Sequence, residues 1–220
     1  MPLSVQSASW NQGDLIPEAY AFGALTEAGP APAGGNRSPH LRWSDPPAGT
    51  RSYAVLVIDP DVPVDTSDVG VEGRTIADDR ERRDFAHLVL VDLPPSVTEI
   101  SEGALSEGIT AGGTPPGPTP VGGRTGVNDY TDFFAGHPQL GGTYGGYDGP
   151  FPPPNDERVH EYFFTVFALD VPSLELEGDF DLAVARRAME GHILETAEWR
   201  GLYTLNAGIR ERLALEGSTR

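Results

Sequence analysis

Three apolar runs contain neither glycine nor proline: Tyr53–Ile58 (YAVLVI), Phe85–Leu93 (FAHLVLVDL) and His160–Leu169 (HEYFFTVFAL). The rest of the chain is broken up by 27 glycines and 21 prolines. The runs are short and rich in Val, Tyr and Phe, so they read as strands. Long loops separate them rather than helices, so the chain lacks the β–α alternation of a doubly wound sheet. The expected fold is mainly β, a single domain over residues 1–220 with a peripheral helix near the C-terminus. YAVLVI is continuously apolar and predicts a strand covered on both faces. It is expected to stop at Asp59-Pro60-Asp61-Val62-Pro63, where the prolines lack ladder donors. With a side-chain period of two, Phe85, His87, Val89 and Val91 share a face, as do His160, Tyr162, Phe164 and Val166.

Between these strands the punctuation is uneven. Residues 1–50 carry turn chemistry with room for short edge strands, and residues 64–84 read as a charged surface loop with a helical turn at most. From Gly103 to Pro154 the chain is dense in Gly and Pro yet holds Tyr130, Phe133, Phe134, Tyr144 and Tyr147. That combination predicts an ordered, functional loop region. Asp179 or Asp181 is placed to cap a helix running to about Trp199, with Leu182, Ala185, Met189, His192, Ile193 and Thr196 along one face. Gly201 is placed to end it, Leu202–Leu205 reads as a last strand, and Ile209–Leu215 as a final helical turn or two.

A formal net charge of −18 and a pI near 4.4 argue against nucleic acid or an anionic membrane surface as partner. All 15 cationic residues are arginine. Codon bias with a solvated acidic surface and adaptation to high salt explain this equally well. The absence of cysteine excludes disulfides and thiolate chemistry. The N-terminus has no basic or apolar leader and no eighteen apolar residues run together, so the expectation is a soluble, cytoplasmic protein. No phosphate loop, GxSxG elbow or HExxH is present.

Chemistry-bearing residues gather at strand ends: Asp59 and Asp61 after the first strand, His87 in the second, His160 and Tyr162 opening the third, and the Gly149-Pro150 loop before it. Each alone has a commoner explanation. Asp-Pro-Asp is usually a strand-ending turn, and a histidine among Phe85, Val89 and Val91 is usually a satisfied core residue. Together, beside a Gly/Pro loop able to bring backbone N–H groups to a bound atom, they predict a ligand site. His160 is expected there with its polar tip toward a cavity, contributing little to packing. A different class of function stays open: Asp59, His87 and His160 are the 2-His-1-carboxylate set used by metal-dependent hydrolases and oxygenases.

The order Asn36-Arg37-Ser38-Pro39-His40-Leu41-Arg42-Trp43, then Asp59-Pro60-Asp61-Val62-Pro63, Phe85-Ala86-His87, Gly146-Tyr147-Asp148-Gly149-Pro150-Phe151-Pro152-Pro153 and Val159-His160-Glu161-Tyr162 resembles the phosphatidylethanolamine-binding protein family. Within that family it looks like the prokaryotic Raf kinase inhibitor-like branch. The resemblance spans nearly the whole chain. It implies a β-rich non-enzymatic binding protein whose small pocket takes phosphate or a phospholipid head group. It places Asp59, His87, Gly149, Pro150, His160 and Tyr162 around that pocket, with Asp61 and Pro63 shaping it. No cofactor or catalytic residue is implied. The expected partner is a small anionic or zwitterionic ligand, and a homodimer is allowed for without a named protein partner. Two departures stand out: Phe151 where members often have Cys inside GPxPP, and Glu161 where Arg is frequent.

Overall fold

A computed structural model describes residues 1–217. In chain order the elements are β1 (Ser4–Gln6), β2 (Ala24–Thr26), β3 (Gly29–Ala31), β4 (Leu41–Ser44), β5 (Ser52–Pro63), β6 (Arg82–Leu93), β7 (Glu99–Ile100), β8 (Gly117–Pro118), β9 (Arg124–Thr125), α1 (Tyr130–Phe133), β10 (His160–Leu169), α2 (Leu182–Met189), β11 (Ile193–Tyr203) and α3 (Ala207–Gly217). The protein is mainly β. Its main sheet has the order β11-β10-β5-β6-β9-β8, with all pairings antiparallel.

The continuous run in β5 takes the centre of that sheet because both of its faces can be buried. Tyr53, Val55 and Val57 join Trp43, Leu41 and Ile100 of the small β1-β4-β7 sheet on one side. Ala54, Leu56 and Ile58 meet Ala185 and Met189 of α2 on the other. β10 alternates as the side-chain period requires: His160, Tyr162, Phe164 and Val166 are buried, and the intervening residues are half-buried. Among the described residues no helix is long and apolar enough to cross a membrane.

Four sequence expectations change. β5 does not stop at Asp59 but runs on to Pro63, because an extra residue in its Asp59–Val62 stretch lets Val62 pair with Arg83 and Pro63 with Arg82. His87 does not share a face with Val89 and Val91. The pairing jumps from Ile58↔Ala86 to Val57↔Leu88, so His87 is the unpaired residue of a bulge and the parity flips. Leu88 and Leu90 then join the β4 side of the core, whereas Val89 and Val91 join the α2 side. Residues 82–84, expected as the end of the charged loop, instead open β6, and the loop before them holds only isolated turns such as the Val69 N–H donating to the Thr66 carbonyl at 3.1 Å.

The helix capped by Asp181, whose carboxylate accepts from the Val184 N–H at 2.8 Å, ends at Met189 rather than near Trp199. Gly191, at φ 80°, turns the chain, and residues 193–203 form β11, paired from Leu169↔Ile193 to His160↔Tyr203. The ladder offered by β10 overrides a helical pattern that is worth only tenths of a kcal/mol per residue, about 0 to 0.7.

Candidate ligand-binding site

At one end of β5, β6 and β10 lies a cavity of about 480 Å³. Asp59, His87 and Tyr162 line it, all three nearly inaccessible to solvent. Higher up come Val62, Pro63, Phe85, Tyr130, Phe151 and the run Pro152, Pro153, Pro154. Segment 64–80, between β5 and β6, contributes Thr66 and Val69 as one wall.

His87 is held by its bulge and by the loop facing it. Its Nδ1–H donates to the Asp148 carbonyl at 2.6 Å, which fixes the tautomer and leaves Nε2 as an acceptor. Nε2 is buried and has no partner among the described residues. Burial pushes the His87 pKa down; the nearby Asp59 and the carbonyl contacts oppose this without overcoming it, so the ring is neutral. The Tyr162 hydroxyl is also without a partner. Burial, and then the Asp59 carboxylate, push its pKa well up, so it keeps its proton.

Asp59 is positioned from behind. Its Oδ1 accepts the Asp61 N–H at 2.8 Å, and its Oδ2 accepts from His160 Nδ1 at 2.7 Å. His160 Nε2 reaches Asp156 Oδ2 at 3.1 Å, and Arg82 grips Asp156 with two hydrogen bonds of 2.5 and 3.0 Å. His160 is thus clamped between two carboxylates and is 0% exposed. Burial favours its neutral form, but Asp59 and Asp156 outweigh that and push its pKa up to about 9. Asp156, which burial would raise, is held below the usual carboxylate range by His160 and Arg82. The run Asp59–His160–Asp156–Arg82 alternates in charge, and Arg82 extends it to the Asp61 carbonyl at 2.8 Å.

Of the sequence-derived candidates, Asp59, Pro63, His87 and Tyr162 line the cavity, whereas Asp61, Gly149, Pro150 and His160 do not. The expectation for His160 is corrected: both ring nitrogens are spent on carboxylates, so it supports Asp59 instead of touching a ligand. Asp61 is a clamp that accepts from Arg158 at 2.9 Å and from the Glu161 N–H at 3.0 Å. The backbone cradle is corrected as well. The Gly149 N–H is consumed by Asn36 Oδ1 at 2.8 Å, and the Pro150 carbonyl accepts from the Phe22 and Gly23 N–H groups. Gly149 is needed for closeness, since a Cβ there would lie 2.0 Å from the Tyr20 carbonyl oxygen. The metal-ligand expectation also fails on geometry: among the described residues no three His, Asp or Glu side chains come together as a metal site.

Sequence reasoning missed Asp156, Arg82, Asn36 and Asn128. The two amides donate to the buried Asp148 carboxylate at 3.2 and 2.8 Å and so hold the loop that locks His87. Burial pushes Asp148 up to about 6, against those hydrogen bonds. Asp156 had a local signal, a carboxylate four residues before His160, but Arg82 lies 74 positions from it.

Comparison with known proteins gives a consistent picture. The profile of the family described as phosphatidylethanolamine-binding protein matches residues 6–204. A UPF0098 protein of Methanothermobacter thermautotrophicus is 32% identical over 201 residues, covering 91% of this chain and 98% of the relative. The UPF0098 protein YbhB of Escherichia coli is 29% identical, covering 87% and 94%. The crystal structure of E. coli YbcL, described as a new member of the mammalian PEBP family, superposes with a TM-score of 0.66 at 25% identity, covering 93% of this chain and 99% of that one.

Proposed function

The chain belongs to the phosphatidylethanolamine-binding protein family, and from that premise we propose that its cavity binds a small zwitterionic ligand of the phosphoethanolamine type, ammonium end first. One observation carries this reading: the buried end of the cavity combines the Asp59 carboxylate with the bare Nε2 of a neutral His87. Both are acceptors, and an ammonium group, with only donors, satisfies them. Tyr162 keeps a hydroxyl that serves as either donor or acceptor. The ligand's phosphate then falls to Arg83, the one cationic side chain among the described residues lining the cavity, whose guanidinium donates to the Asp84 carbonyl at 3.3 Å. The overall charge of −18 favours approach of the cationic end.

Isothermal titration with phosphoethanolamine, ethanolamine and inorganic phosphate separates the contributions. Phosphoethanolamine binds tightest, and Asp59→Asn weakens it by about tenfold to a hundredfold, as for a charge-assisted hydrogen bond. The ammonium-first reading fails if inorganic phosphate binds as well as phosphoethanolamine and Asp59→Asn leaves both unchanged. That outcome would instead assign the pocket to a bare anion that protonates His87.

A further inference from the structure

Away from the cavity, the main sheet leaves backbone groups unpaired along one edge. β11 is its outer strand at the end opposite β8. Over the latter half of β11 the N-terminal segment covers that edge. The Arg200 carbonyl accepts from Trp10 Nε1 and from the Gly13 N–H, both at 3.0 Å, and the Arg200 N–H donates to Gln12 Oε1 at 2.8 Å. The Leu202 N–H donates to the Asp14 carbonyl at 2.9 Å, and its carbonyl accepts the Ile16 N–H at 2.8 Å. Backbone direction alternates along a strand, so Thr196 and Glu198 point their groups the same outward way. There the cover runs out. Gln12 Nε2 reaches the Glu198 carbonyl only at 3.5 Å, and no strand among the described residues lies beyond Thr196. Thr196 and Glu198 are exposed, as are Ile193 (43%) and Leu194 (41%) just before them.

We propose that this stretch, residues 194–198, docks an extended segment of a partner protein that carries two basic side chains three positions apart and joins the main sheet as a further strand. Main-chain hydrogen bonds to Thr196 and to the Glu198 N–H supply the attachment. Charge supplies the selection. Glu195 pairs with Ala168 and Glu198 with Thr165, so the two carboxylates stand on opposite faces of the sheet. A strand added about 4.7–4.9 Å away sets one side chain beside each carboxylate, and those two side chains are three positions apart. Glu195 has no ion-pair partner within 4.0 Å among the described residues, and Glu198 shares Arg200, at 3.7 Å, with Glu161. A second copy is the occupant that this charge disfavours, because it brings the same carboxylates and a net charge of −18 of its own. Ile193 and Leu194 add apolar contact at the open end.

The test follows amide hydrogen exchange of the whole chain by NMR while three hexapeptides are titrated in. The first is Thr-Lys-Val-Val-Lys-Thr, the second has Glu for both Lys, and the third is the first with every internal peptide nitrogen methylated. At saturation the first peptide slows exchange at the Thr196 and Glu198 amides by about tenfold, and the other two leave them unchanged. Thr196→Pro removes an outward N–H, a change that edge strands tolerate, so it abolishes protection at Glu198 while the unfolding midpoint stays near wild type. Glu195→Arg combined with Glu198→Arg keeps the edge and inverts its charge. That double variant binds the Lys peptide about five- to thirtyfold more weakly and now prefers the Glu peptide. The proposal is overturned if the methylated peptide binds as well as its parent, which makes the attraction charge alone, or if the double variant keeps the wild-type preference. It is overturned equally if no peptide protects these amides or protection falls outside β11. Protection that grows with protein concentration before any peptide is added assigns the edge to a second copy and also sinks it.

Discussion

His160 illustrates how a residue can belong to a site without touching what the site holds. Its imidazole bridges two buried carboxylates, each within hydrogen-bond distance. Removing it leaves Asp59, among the described residues, without a cationic contact, and Asp156 with Arg82 and the Arg158 N–H. His160→Gln should therefore cost about 3 to 5 kcal/mol, the range for breaking a buried ion pair. The pH dependence follows in sign. A histidine whose folded pKa stands at about 9, above its ordinary 6.5, contributes stability that is complete below about pH 6.5 and is lost as pH rises through 9. The full contribution is on the order of 3 kcal/mol. Urea unfolding of wild type and His160→Gln at pH 6.5 and 9.5 checks this. The difference between the two proteins should shrink at the higher pH, and an equal gap at both values would mean that His160 carries no extra proton in the fold.

At the scale of elements, the site depends on two irregularities in regular strands and on one loop. The bulge at His87 turns the ring out of the parity that Val89 and Val91 follow, and the bulge after Asp59 carries β5 on to the cavity wall at Pro63. The loop through Asp148 and Gly149 accepts from His87 and packs flat on the Tyr20–Ala21 backbone. Gly149→Ala forces that backbone apart, and should cost about 1 to 3 kcal/mol as overpacking does. Because the Asp148 carbonyl moves with it, the His87 ring loses its anchor and phosphoethanolamine binding weakens too. Chemical denaturation together with titration reads both effects. Wild-type values for stability and binding would show that the close approach is not required.

Over the whole molecule the dominant fact is charge. Eight of the arginines form ion pairs within 4.0 Å among the described residues, and Asp148 is a buried carboxylate with no such partner there. Self-repulsion at −18 opposes compaction and is screened over about 8 Å at physiological salt. If the composition is an adaptation to high salt, the melting temperature should rise between low and molar KCl, by about 2 to 4 °C for each kcal/mol of repulsion removed. A flat or falling melting temperature leaves codon bias as the account of an arginine-only, acidic chain.

The sequence by itself determined the three strands, the burial of both faces of β5 and the alternation along β10, and it narrowed the helix cap to Asp179 or Asp181, because each depends on local periodicity or turn chemistry. It also brought Asp59, His87 and Tyr162 into one list, together with Asp61, Pro63, Gly149, Pro150 and His160, although His87 lies in the middle of β6. What it could not decide was register. Whether His87 faces the cavity depends on one unpaired residue between Ala86 and Leu88, and whether residues 193–203 are helix or strand depends on β10 being there to pair with them. Nor could it say that His160 looks inward to Asp156 rather than outward to a ligand, because Arg82 and Asp156 meet only across 74 residues of chain. Local preferences act within a few residues; side-chain partnership in a buried site is settled by which backbones the sheet brings side by side.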